Sequence, residues 1–292
     1  MANLIDANQM TGRTVLITGA TSGIGKATAM GLAALGANLL IVGRDRTRTE
    51  ATAREIKLAF PGVSVDLMLA DLASLKAVRQ LAEQVNQNFS QLHVLINNAG
   101  TLNITRKVTV DGFEETFQVD YLASFLLTNL LLPLLQKSGK ARIVTVSSGI
   151  HQTATMRWDD LQGEKQYGEY KAYAQANLAR ILFSYELARR LKDSDMTANC
   201  LHPGGVATNM GSSNKSLMSS LFRLAAPFLK KPEEGARTSI YLASSPEVEG
   251  VSGKYFVNCK ERKSSKLSYS ETDAQRLWKI SEELVGLGVG AR

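Results

Sequence analysis

Apolar runs of strand length recur along the chain and alternate with longer stretches of helical period. The segments RTVLITG (13–19), NLLIVG (38–43), VSVDLML (63–69), LHVLIN (92–97), ARIVTVS (141–147), MTANCLH (196–202) and GKYFVN (253–258) predict seven buried strands. Between them, residues 24–35, 75–89, 113–135 and 170–191 predict amphipathic helices. Near-continuously apolar strands separated by helices predict a parallel sheet covered on both faces. No linker or composition shift divides the chain. The pattern therefore predicts an α/β fold: one doubly wound Rossmann domain over residues 1–292, with a seven-stranded parallel sheet. The least regular part, 203–232, holds a serine-rich loop and an apolar stripe, Leu217, Met218, Leu221, Phe222, Leu224 and Phe228. That stripe is either plain packing or a substrate lid at about 211–231.

Composition narrows the class. A chain of 292 residues, 44% hydrophobic and 21% charged, has the balance of an ordinary globular protein with a substantial core. Its cysteines, Cys200 and Cys259, have no metal-like spacing, so no metal site is expected and a reducing, intracellular setting is. The first residues, MANLIDANQM, contain neither a basic nor an apolar leader region. The longest apolar run, 125–135, is interrupted by Thr128, Asn129 and Pro133 and is too short to span a bilayer. The expectation is a soluble, cytoplasmic protein without a transmembrane segment. The net charge of +7 is scattered in small clusters, and aromatics make up only 7% of residues, which argues against a nucleic-acid partner. A polyanionic small molecule would use the same charge.

TGATSGIG (18–25) stands where the first strand ends and the first helix begins. Its glycines let the backbone turn tightly and approach an anion. The helix N-terminus then offers unpaired N–H groups and a partial positive charge to a pyrophosphate. Gly19, Ser22, Gly23, Ile24 and Gly25 are the candidate phosphate-binding residues. After the second strand, where an acidic residue would hold a free ribose hydroxyl, the chain reads IVGRDR. Arg44 at that place suits a 2′-phosphate and points to NADP(H); the plainer alternative is a solvated loop arginine.

Together TGATSGIG, ADL (70–72), NNAG (97–100), RIVTVSS (142–148), the helix carrying Tyr173, HPGGVATNM (202–210) and SGKYFVNC (252–259) are specific in order and spacing. The chain resembles the short-chain dehydrogenase/reductase family over nearly its whole length, most closely its retinol-dehydrogenase-like branch. Its membrane-bound members carry an N-terminal anchor that MANLIDANQM does not resemble. The resemblance implies that Asp71 and Leu72 lie near the adenine, and that Asn98, Ala99 and Gly100 line the cofactor and steady the sheet. Pro203, Gly204, Val206 and Thr208 would wrap the nicotinamide end. Ser148 would hydrogen-bond the substrate oxygen, and Tyr173 would exchange its phenolic proton with it. The 25-residue spacing between those two fits this branch, which carries an extra loop there. The family also implies that helices 111–136 and 169–192 pair between subunits, giving a dimer or tetramer.

Three positions depart from the family. Asn177 stands where the family has a lysine that binds the nicotinamide ribose and lowers the tyrosine pKa. Asp120 stands where it has an active-site asparagine, and Arg180 where the branch has another asparagine. An ammonium ~5 Å from a phenolate, at an effective dielectric of ~20, stabilises it by about 3 kcal/mol, or roughly two pKa units. Asn177 supplies no such charge, and an ionised Asp120 opposes phenolate formation. Arg180, two helical turns past Tyr173, is placed to supply the missing charge, to pair with Asp120, or to face solvent or a subunit partner.

A neutral tyrosine is already in the form that donates a proton, so reduction tolerates the lost lysine better than oxidation does. The sequence thus predicts an NADP(H)-dependent oxidoreductase biased toward carbonyl reduction of a small lipophilic substrate. Tyr173, Ser148, Asn177 and Asp120 are the candidate catalytic residues. Its rival is a cofactor-binding protein of the same fold with lost or non-redox chemistry.

Overall fold

The computed structural model describes residues 9–206 and 230–287. Strands β1 (Thr14–Thr18), β2 (Asn38–Gly43), β3 (Val65–Leu69), β4 (Val94–Asn97), β5 (Arg142–Val146), β6 (Thr197–His202) and β7 (Tyr255–Val257) fall inside the seven runs read from the sequence. They form one sheet in the order β3-β2-β1-β4-β5-β6-β7, every neighbouring pair parallel. An eighth strand, β8 (Lys260–Arg262), adds an antiparallel edge beside β7. Its hairpin turns on Asn258 and Cys259, both left-handed at φ 52° and 58°.

Three helices cover one face: α1 (Gly23–Ala33), α2 (Arg46–Ala59) and α7 (Pro232–Ser244). The other face carries α3 (Leu75–Asn88), α4 (Glu115–Phe117), α5 (Ala123–Lys137), α6 (Glu169–Arg190) and α8 (Glu271–Leu284). The alternation within a strand decides which core each side chain joins. In β1 and β2, Leu16, Leu40 and Val42 pack toward α3 and α5, while Val15, Ile17, Leu39 and Ile41 pack toward α1 and α2. Asp45 starts α2 by accepting the Arg48 N–H at 2.8 Å, an N-cap that terminates the loop holding Arg44.

The apolar run 125–135 is not cut short at Thr128, Asn129 and Pro133. It lies in a continuous helical stretch, Glu115–Lys137, long and apolar enough by length and composition to cross a membrane. Most of that stretch is buried inside the fold, as in the core helix of a globular domain. Five of its residues, Gln118–Leu122, wind as a π turn between α4 and α5. Such a turn re-aims the residues it contains.

The outer aromatic face of α5 and α6 is occupied by α8 of the same chain. Trp278 stacks on Phe183 at 5.7 Å and meets Phe125 edge-on at 4.9 Å, and the Tyr121 and Ser281 hydroxyls lie 2.6 Å apart. Subunit pairing through that face would have to displace α8.

Candidate active site and cofactor crevice

The strand order reverses between β1 and β4, and the crevice of such a sheet opens at the carboxyl ends of its strands. The phosphate turn follows β1 there. Gly19 has φ +67°, and a Cβ on Gly25 would sit 2.2 Å from the Gly19 carbonyl and 2.4 Å from Asn98 Nδ2. Only glycine allows the α1 start to press so closely on the strand end. Ser22 is the N-cap but its side chain makes no cap bond, and no acidic residue stands in the first turn of α1. The first N–H groups, around Gly23, Ile24 and Gly25, are therefore free to meet an anion.

Asn98 holds this turn rather than reaching away from it. Its Nδ2 donates to the carbonyls of Thr18 at 2.8 Å and Gly19 at 3.3 Å. Thr18 completes the clamp, its Oγ1 accepting the Asn98 and Ala99 N–H groups at 3.0 and 3.1 Å. Sequence reading passed over Thr18; its place as the last residue of a strand beside the NNAG turn was the available signal. At the end of β2, Arg44 is exposed and makes no hydrogen bond or ion pair among the described residues. Asp71 is exposed, with Oδ1 accepting the Ala73 N–H at 3.0 Å, and Leu72 beside it is buried. After β6, Gly204 takes φ +92° and Val206 bridges to Lys230. A Cβ on Gly235 would meet Val206 at 2.6 Å and Ile24 at 3.3 Å, so this segment lies over the start of α1. Thr208 and the apolar stripe 217–228 lie outside the described residues. The arrangement fits a dinucleotide: a free helix N-terminus, a backbone cradle that a Cβ would fill and, just past the end of β2, an arginine with no partner among the described residues.

Tyr173 projects from the second turn of α6, partly buried. Burial raises its pKa first and the Asp120 charge raises it further; the Arg180 charge and hydrogen bonding from the Ser148 and Asn177 side chains pull it down. Four sequence-predicted residues, one departing arginine among them, thus act on one phenol. Ser148 caps a short 3-10 turn, Gly149–Thr153, and its carbonyl lies 2.7 Å from His151 Nδ1. Gly149 donates its N–H to His202 Nδ1 at 3.0 Å. His202 is held at about 4, first by burial and then by His151 and Lys230, so it serves as a neutral acceptor. These bonds lock the backbone that presents the Ser148 hydroxyl. A cleft of about 450 Å³ opens between Thr153–Thr155 and the first turns of α6, at Tyr170, Lys171 and Ala174.

Asn177 is buried. Its Nδ2 donates to the Tyr173 carbonyl at 2.9 Å, and its Oδ1 has no partner. Ser147 Oγ donates to the Asn177 carbonyl at 3.0 Å, fastening α6 to β5.

Arg180 neither faces solvent nor forms an ion pair with the Asp120 carboxylate. It is 3% exposed and spends its donors on three carbonyls: Asp120 at 2.5 Å, Val146 at 2.7 Å, and Ala99. One guanidinium so ties the ends of β4 and β5 to the π turn. Asp120 itself is fully buried, with Oδ1 accepting the Thr101 N–H at 2.7 Å and Oδ2 without a partner. Burial, only partly offset by Arg180 and the Thr101 N–H and reinforced by Glu114, raises its pKa to about 7.

Residues 13–218 match the short chain dehydrogenase family. Human retinol dehydrogenase 14 is 48% identical over 298 residues, covering 97% of this chain and 89% of its own. The chain belongs to the short-chain dehydrogenase/reductase family, in its retinol-dehydrogenase-like branch. Among solved structures, an uncharacterised protein from Mycobacterium paratuberculosis superposes with a TM-score of 0.77 at 33% identity, covering 94% of both chains. A short chain dehydrogenase from Burkholderia cenocepacia in complex with NADP has a TM-score of 0.69 at 26% identity, covering 85% of this chain and 97% of its own.

Proposed function

We propose that this protein is an NADP(H)-dependent oxidoreductase that reduces a carbonyl on a small lipophilic substrate. Membership of an oxidoreductase family and relatives named retinol dehydrogenases support the reaction class and the lipophilic substrate. The NADP complex of a family member and the unpaired Arg44 support the cofactor. The observation that carries the direction is the electrostatics of Tyr173, whose burial and neighbouring Asp120 hold it protonated.

Bound NADPH supplies the hydride. The N-terminus of α1 and Arg44 would hold its phosphates, and Pro203, Gly204 and Val206 are the residues that would line its nicotinamide end. Ser148 hydrogen-bonds the substrate oxygen and orients the carbonyl. Tyr173 gives its phenolic proton to that oxygen as negative charge develops there. A phenol whose ionisation is disfavoured stays in the form that has a proton to give and supplies little phenolate for the reverse reaction. The experiment is NADPH consumption with a panel of ketones and aldehydes, retinal among them. Turnover that vanishes in Tyr173→Phe supports the reading. Tight NADPH binding without turnover across the panel favours a cofactor-binding protein that has lost its redox chemistry.

A further inference from the structure

The single peptide group that follows Ser148 is held at both ends by histidine. Its carbonyl lies 2.7 Å from His151 Nδ1, and its N–H, which belongs to Gly149, donates to His202 Nδ1 at 3.0 Å. These partners require opposite forms of the two rings. A carbonyl only accepts, so His151 carries its proton on Nδ1. An N–H only donates, so His202 leaves Nδ1 bare and carries its proton on Nε2. Burial lowers the pKa of both rings, which holds each neutral. Gly149 allows the close approach: a Cβ there would meet His202 Nε2 at 3.2 Å and Cδ2 at 3.4 Å.

His151 makes a further bond at its other nitrogen. Nε2 accepts the Ser265 N–H at 3.2 Å, which only a bare nitrogen can do. The ring is fully buried, edge-on to Tyr255 of β7 at 5.0 Å. Ser265 leads into the short turn Lys266–Tyr269. That segment is pinned to α6, the helix of Tyr173: the Tyr185 and Ser264 hydroxyls lie 2.8 Å apart, and the Ser264 N–H donates to the Tyr269 hydroxyl at 3.1 Å.

We infer that His151 and His202 are positioning residues for Ser148, and that the segment Ser264–Tyr269 takes part by fixing the tautomer of His151. This deepens the reductase reading above and rests on it, because Ser148 acts there on the substrate oxygen. The Ser148 hydroxyl has little else to hold it. Its own cap bond, from the Ile150 N–H at 3.5 Å, is too long to fix a direction. The same hydroxyl hydrogen-bonds Tyr173, so a shift of this peptide disturbs both groups that meet the substrate oxygen.

One readout is independent of turnover. Nitrogen-15 NMR of the protein alone reads the tautomers, and with three histidines in the chain substitution assigns the signals. His151 should carry its proton on Nδ1 and His202 on Nε2. The same tautomer on both rings, or a charged ring at neutral pH, would overturn the inference. In single-turnover reduction with NADPH, His202→Leu should lower the rate at least roughly tenfold. His202→Asn, whose amide oxygen can stand in for Nδ1, should recover most of it. Ser265→Pro removes the N–H at a residue whose φ of −64° proline adopts. It should lower the rate while mixing the His151 tautomers. In a Ser148→Ala background, His202→Leu should cost little more, because it acts through the missing hydroxyl. A full further loss there would overturn the inference. NADPH affinity within about twofold of native in each variant excludes a collapsed site. A native protein that shows the two opposite tautomers and reduces nothing overturns the reductase reading instead.

Discussion

Arg180 Nε donates to the main-chain carbonyl of Asp120 at 2.5 Å, and so the two opposite charges meet through the backbone rather than through the carboxylate. This leaves each guanidinium nitrogen bonded to a carbonyl and one carboxylate oxygen without a partner. Both charges act on Tyr173, in opposite directions. Charge at this site is therefore set by Tyr173 and Arg180 on α6 and Asp120 in the π turn between α4 and α5.

Arg180→Ala should be severely destabilising. It takes a donor from the carbonyls of Ala99, Asp120 and Val146, of which Asp120 keeps only the Ser124 hydroxyl at 3.2 Å, and removes the cation that acts on Asp120. Loss of one partner from a buried charged network costs roughly 3–5 kcal/mol. Chemical denaturation of the variant measures it, and a loss below about 1 kcal/mol would show that the guanidinium is not structural.

Stability should depend on pH through Asp120. Its folded pKa, about 7, lies above the value of 3.8 expected without burial. Below about pH 4 both folded and unfolded chains hold the proton, and Asp120 costs nothing. As pH rises to about 7 only the folded chain keeps it, so stability declines, by a few kcal/mol at most. Asp120→Asn should remove that decline, giving a larger gain relative to the native protein at about pH 8 than at about pH 5. Urea denaturation of both proteins at the two pH values checks the sign. Comparing variant with native cancels the opposite contribution of His151 and His202, buried neutral and costly to protonate in acid.

Asn177→Lys should accelerate alcohol oxidation more than carbonyl reduction. A lysine stabilises the phenolate, which oxidation alone needs as the reactant. The gain should be smaller than the two orders of magnitude implied by roughly two pKa units, because Arg180 already bears on the same phenol. Initial rates in both directions for the native and variant proteins measure the asymmetry.

NADPH should bind at least roughly tenfold more tightly than NADH, about 1.4 kcal/mol. Arg44 is unpaired and exposed where a 2′-phosphate would lie, and Arg44→Ala should erase most of the difference. Equilibrium titration with the two nucleotides decides it.

The sheet and its crevice were legible because buried parallel strands declare themselves as apolar runs, and all seven lie inside the segments read from the sequence. β8 was not, since KER at a sheet edge has no apolar pattern and its turn uses Asn258–Cys259 without glycine. Helices α2, α7 and α8 were also unread; α2 has only a weak apolar stripe, its buried positions being largely threonine and alanine. At the site, sequence placed Tyr173, Ser148, Asn177 and Asp120 around one phenol but left Arg180 with three possible fates. Position on a helix face does not reveal depth. Its partners are carbonyls contributed by distant segments, which leave no side-chain signature. The π turn that aims Asp120 was equally hidden, because QVDYL reads as an ordinary helical stretch.

The central claim is tested most directly by hydride transfer from NADPH labelled with deuterium at its reactive carbon, incubated with retinal and simpler lipophilic aldehydes and ketones. The account predicts deuterium at the carbinol carbon of the alcohol product with the native protein. With Tyr173→Phe it predicts none, while NADPH affinity stays within about twofold, because the change removes the proton donor and little volume. Unlabelled substrate recovered across the panel from native protein saturated with NADPH would contradict it.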